Sequence, residues 1–101
     1  MAEQELNSLD KAITSVANEV RQQLRNEHYD IEVTAPKGPD FMVFMRGAEG
    51  DVSEGRRTRE RLDAILKDAL KTHMSFDDLT AKITTVNKQD DLMFYVEIIF
   101  P

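Results

Sequence analysis

Apolar residues recur along the first quarter of the chain at Leu6, Leu9, Ile13, Val16, Val20 and Leu24. The spacings of 3, 4, 3, 4 and 4 place all six on one stripe of a helix, with Asn7, Asp10, Lys11, Glu19, Gln22 and Gln23 between them for water. The pattern predicts a helix over residues 3–27. The same spacing would suit a coiled-coil seam. It lasts too few heptads for that, so an amphipathic helix lying on a sheet is the expectation.

After the helix the period changes from 3.6 to 2. In YDIEVTA, Ile31, Val33 and Ala35 share one face while Glu32 and Thr34 share the other, which predicts a strand with one wet face. PKGPD supplies turn chemistry, and FMVFMR follows as a second strand, joined to the first as a hairpin. The loop GAEGDVSEG leads to a second helix running to Lys71, with Leu62, Ile65, Leu66, Ala69 and Leu70 as its apolar stripe. Asp51 and Glu54 stand three apart as a capping box, and Ser53 is a competing N-cap. THMSFDD breaks the pattern, with a short turn capped by Ser75 as an option. LTAKITTV alternates as a third strand, NKQDD turns, and LMFYVEIIFP closes the chain as a fourth.

Helix, strand, strand, helix, strand, strand predicts an α+β two-layer sandwich: one four-stranded, mainly antiparallel sheet with both helices on one face. This is ferredoxin-like layering in a permuted order. The whole chain, 1–101, reads as one domain.

That architecture makes the last segment informative. A half-exposed strand alternates, yet both faces of LMFYVEIIFP are apolar. Two helices cover one face of four strands, so the other must meet something else. Residue type sorts Ile31, Val33, Phe41, Val43, Met45, Ile83, Leu92, Phe94, Val96 and Ile98 to the helix side. The second face then carries Glu32, Thr34, Thr80, Lys82, Thr84 and Glu97, and five large apolar or aromatic groups: Met42, Phe44, Met93, Tyr95 and Ile99. Those five are the candidate partner-binding residues, since such a patch marks an interface or a ligand groove. The bland alternative is a helix or loop of the chain itself folding over them.

Composition narrows the partner. The chain is 41% hydrophobic and 32% charged, with net charge −6 and pI near 4.8. A net-negative surface repels phosphate, which counts against nucleic acid and anionic membrane. The absence of cysteine excludes disulfides and thiolate chemistry. MAEQELNSLD is too polar for a signal peptide, and no apolar run approaches a membrane span, so a cytoplasmic location is expected.

One basic cluster breaks the acidic average. Arg56, Arg57, Arg59 and Arg61 sit at the start of the second helix, where the dipole prefers acids. Such a misfit suggests an anion or nucleic-acid site. At 100° per residue, however, the four do not form one blade, and Glu54, Glu60, Asp63 and Asp68 are near enough to pair with them. Gly47–Gly50 matches the bare GxxG of an RNA clamp, but Glu49 and Asp51 stand where phosphate would approach. His28 is expected to end the first helix's stripe and His73 to sit in the last turn of the second. No carboxylate pair or metal-ligand spacing suggests catalysis or a cofactor.

The expectation is a non-enzymatic protein-binding or assembly protein that uses its apolar sheet face for homodimerisation or partner binding. Small acidic proteins of phages and of inhibitory systems fit that description. The alternative is anion or nucleic-acid binding through the arginines.

Overall fold

The structure, a computed structural model, describes the backbone of residues 2–74 and 79–100 and side chains from residue 9 onward. The elements follow the expected order: α1 (Ala2–Gln23), β1 (Ile31–Val33), β2 (Asp40–Met45), α2 (Val52–His73), β3 (Thr80–Lys88) and β4 (Asp91–Ile99). The strands form one antiparallel sheet in the order β1-β2-β4-β3, so the apolar final strand lies inside the sheet. α1 packs beside β1 and α2 beside β3.

The core lies between the helices and one sheet face. Ile13, Val16, Val20 and Leu24 from α1 and its end meet Leu62, Leu66, Ala69 and Leu70 from α2. Phe41, Val43, Met45, Leu92, Phe94, Val96 and Ile98 close it from below, all buried. Burying such side chains is worth about 1.5–3 kcal/mol each, which makes this layer the main stabiliser. Leu9 and Ile65 are half-buried at its margin.

Several boundaries differ from expectation, each for a local reason. α1 ends at Gln23 rather than at residue 27. Arg25 folds back to donate to the carbonyls of Arg21 (2.8 Å) and Leu24 (2.9 Å), satisfying orphan acceptors of the last turn. Asn26 then accepts the N–H groups of His28 and Tyr29 on its Oδ1, a side-chain turn that competes with helix continuation. His28 therefore sits exposed in that turn and does not extend the stripe. β1 stops early because the Thr34 hydroxyl, not its carbonyl, accepts the Met42 N–H at 2.9 Å. β3 runs two residues longer than expected and reduces the β3–β4 turn to Gln89 and Asp90, with Gln89 at φ +56°. The suggested Ser75 cap lies outside the described residues.

α2 is capped as half of the expected box. The Asp51 carboxylate accepts the Glu54 N–H at 3.2 Å, whereas the Asp51 N–H goes to the Ala48 carbonyl. Glu54 instead accepts from Asn26 at 2.9 Å. Asn26 also donates to the hydroxyl of fully buried Thr58 (3.1 Å), and the Tyr29 hydroxyl donates to Asp51 (2.5 Å). Two side chains from the first loop thus fix the start of the second helix.

The halves share a feature invisible as a sequence repeat. Arg21 of α1 donates to the Val33 carbonyl at 2.8 Å, and Arg59 of α2 donates to the Ile83 carbonyl at 3.0 Å. Each helix thus sends an arginine to a carbonyl on the outer strand of its own half.

Candidate functional site

The sheet face away from the helices is built in cross-strand rows. Register places Glu32, Phe44, Met93 and Val86 in one row, and Met42, Tyr95 and Thr84 in the next, with Thr34 beside Met42. Cross-strand neighbours lie about 4.5–5.5 Å apart, so Met42, Phe44, Met93 and Tyr95 form one contiguous patch. Val86 extends it, 40% exposed. Val86 is not among the five residues expected from the sequence. Its place two residues after Thr84 in a period-two strand was the available signal.

The patch is graded in depth. Met93 is only 8% exposed yet lies outside the helix-side core. Its cross-strand neighbours Phe44 and Val86 flank it on the open face. Met42, Phe44 and Tyr95 are half-buried. Ile99 is 44% exposed and belongs to the same face, but the row Asp40–Glu97–Lys82 separates it from the other four.

Polar groups frame the patch at both ends. Arg46 lies over the Phe44 ring, 4.7 Å from its centroid. Its guanidinium is held by Glu32 and by Asp91, the latter at 2.6 Å, and both bonds favour its charged form. Asp91 also accepts the Gly47 N–H at 2.8 Å. That bond first, and Arg46 second, keep its carboxyl below the usual carboxylate range. At the other end the Tyr95 hydroxyl donates to Asp40 at 2.6 Å, which pushes the phenol's pKa up. These contacts orient Phe44 and Tyr95 on the open face.

The four arginines do not form one cluster: Arg56 and Arg59 line the groove between α2 and β3, and Arg57 and Arg61 do not. Arg57 pairs with Glu54 at 3.7 Å and Arg61 donates to the Arg25 carbonyl at 3.1 Å, toward the loop after α1. Arg59 holds the Ile83 carbonyl, and only Arg56 has no hydrogen bond or ion pair among the described residues. In the GxxG loop, Gly47 (φ +80°) and Gly50 (φ +81°) adopt left-handed turns, and their N–H groups are taken by Asp91 and Asn87. His73 does close α2 and lies 3.3 Å from Glu19 of α1. Among the described residues no three His, Asp or Glu side chains gather as a metal site, and no helix is long and apolar enough to cross a membrane. No known protein family, curated protein or solved structure matches this chain.

Proposed function

We propose that this is a non-enzymatic assembly protein, working in the cytoplasm, that binds a second copy of itself by stacking the open sheet faces. The observation that carries the reading is the contiguous patch of Met42, Phe44, Met93, Tyr95 and Val86, left open by helices committed to the other side. Large, adaptable and aromatic side chains suit interface cores. The lack of cysteine suits a reducing compartment.

Charge favours a second copy as the occupant. On this face Glu32, Asp40, Asp91 and Glu97 stand with Arg46, Lys82 and Lys88, a net of −1 against −6 for the chain. Two copies therefore meet where they repel least. A two-fold axis running along the strands lays β2 of one copy over β4 of the other, and β1 over β3. Phe44 then meets Met93, Met42 meets Tyr95, Arg46 comes over Asp91 and Glu32 comes over Val86 of the second copy. With strands about 4.8 Å apart and about 3.4 Å per residue, the face covers at most about 600 Å². That footprint belongs to weaker, concentration-dependent complexes.

Sedimentation of the wild type over a range of concentrations, beside a Phe44→Asp, Tyr95→Asp variant, tests this. The wild type should move from monomer to dimer while the variant, folded by circular dichroism, stays monomeric. A wild type that is monomeric at its solubility limit removes the self-association reading. The alternative, anion or nucleic-acid binding through Arg56, Arg57, Arg59 and Arg61, has less support because three of the four are engaged within the fold.

A further inference from the structure

The sheet repeats itself, and the repeat separates residues the packing requires from residues it does not. Phe41 pairs with Val96 and Val43 with Phe94, on either side of the Met42–Tyr95 pair. A two-fold axis through Met42–Tyr95, normal to the sheet, therefore carries Phe41 onto Phe94, Val43 onto Val96 and Met45 onto Ile98. It also carries β1 onto β3: Val33, beside Val43, falls on Ile83, beside Val96. All of these residues are buried in the helix-side core.

The open face breaks the repeat. The same axis carries the Phe44–Met93 pair onto Glu97–Asp40, and Glu32 onto Lys82. One half of the sheet thus accepts acids where the other half carries two large apolar groups. Burial against the helices accounts for the matched residues, but it does not account for Phe44 and Met93. Apolar side chains gathered on a face without a packing requirement mark contact with a partner. Their end of the face is also the end that carries Arg46 and Asp91, opposite charges on neighbouring strands. Arg46 and Asp91 stay accessible, with 46% and 20% of their side chains exposed.

We propose that Arg46 and Asp91 are the self-recognition pair of the face-to-face dimer described above, a reading on which this inference rests. Across a two-fold axis along the strands, Arg46 of each copy meets Asp91 of the other. A ring of four alternating charges closes beside the Phe44–Met93 contact. Neither charge enters the interface alone, which is the costly case, because each arrives paired within its own chain. At the far end Asp40 and Glu97 of the two copies repel, so the contact centres on the Arg46 end. Charges placed in this way select the partner and its orientation more than they add affinity.

The test is sedimentation at low salt of Arg46→Glu, of Asp91→Arg and of their equimolar mixture, each variant shown to be folded by circular dichroism. Either variant alone sets like charges together and should associate about ten-fold or more weakly than the wild type, which corresponds to about 1.4 kcal/mol. The mixture sets acids over arginines and should regain wild-type association as a heterodimer. A role confined to the monomer's own stability does not produce that recovery, since mixing leaves each monomer unchanged. A chain carrying both substitutions keeps an internal pair and serves if a single variant fails to fold: it should self-associate and exclude the wild type. A mixture no tighter than either variant, or a double variant that combines freely with the wild type, would overturn the proposal even if the wild type dimerises. A wild type that is monomeric at every concentration would remove both this pair and the stacked dimer.

Discussion

A β-carbon on Gly55 would sit 2.6 Å from Cδ2 of Leu92, so the first turns of α2 rest against β4 with no room for a side chain. Both residues are buried. Gly55→Ala should gain up to about 1 kcal/mol in helix propensity and lose about 1–3 kcal/mol to overpacking. A net loss of about 1 kcal/mol is expected in urea melts. Adding Leu92→Val removes the obstructing methyl and should turn Gly55→Ala neutral or stabilising.

Asn26 joins the loop after α1 to α2 through one amide, and Thr58 depends on it inside the core. Asn26→Ala leaves the buried hydroxyl without its donor and should cost about 1–3 kcal/mol. Thr58→Val should therefore cost less in the Asn26→Ala background than in the wild type, a coupling that a double-mutant cycle measures.

Acid should destabilise the fold through Asp51 and Asp91. The Tyr29 hydroxyl and the Glu54 N–H lower the pKa of Asp51, while the Gly47 N–H and Arg46 lower that of Asp91. A depressed folded-state pKa gives stability that is present above the unfolded value of about 3.9 and is lost as pH falls through the folded one. Tyr29 and Tyr95 act in the opposite sense, because hydrogen bonds to Asp51 and Asp40 raise their pKa values. Their contribution is complete below about pH 10 and fades above it. Thermal melts of Asp91→Asn against pH should show a shallower acid slope and an unchanged alkaline one.

Gln89 carries a left-handed φ in the β3–β4 turn, where glycine has no steric penalty. Gln89→Gly should stabilise by about 0.5 kcal/mol once the glycine's extra freedom in the unfolded chain is deducted, and Gln89→Val should cost about 1 kcal/mol or more. Urea melts of the pair fix the sign.

The proposed stacked dimer, with its axis along the strands, would lay Asp40 of one copy over Glu97 of the other. Glu97→Gln should then tighten association several-fold in sedimentation, and more so at low salt. An unchanged or weaker dimer would mean that the two faces meet in another orientation.

The layering was legible because each element announces its period. The stripe from Leu9 to Leu24 and the alternation of Phe41, Val43 and Met45 have one burial solution each, and the structure adopts it. β4, apolar on both faces, lies inside the sheet. The limits of α1 were less legible, since Leu24 continues the apolar spacing while Arg25 and Asn26 end the helix by side-chain hydrogen bonds that periodicity does not register. Of the five face residues, four gather as register requires. Ile99 stands apart because the pairing of Glu97 with Asp40 and Lys82 puts a charged row before it, and pairing partners are set by strand order rather than by composition. Thr58 and Gly55 broke the stripe of α2 as polar and small residues, and only the approach of Asn26 and Leu92 explains them.

The strand order also bears on how the molecule could be divided. α1-β1-β2 and α2-β3-β4 are successive stretches of chain that share one ladder, β2 with β4, and one helix contact, with the turns at Gly47 and Gly50 between them. A cut at Gly50 would release two αββ pieces, each with half a hydrophobic layer. Mixed together, such fragments should complement one another, and the reconstituted complex would report the strength of the β2–β4 seam as an ordinary bimolecular affinity.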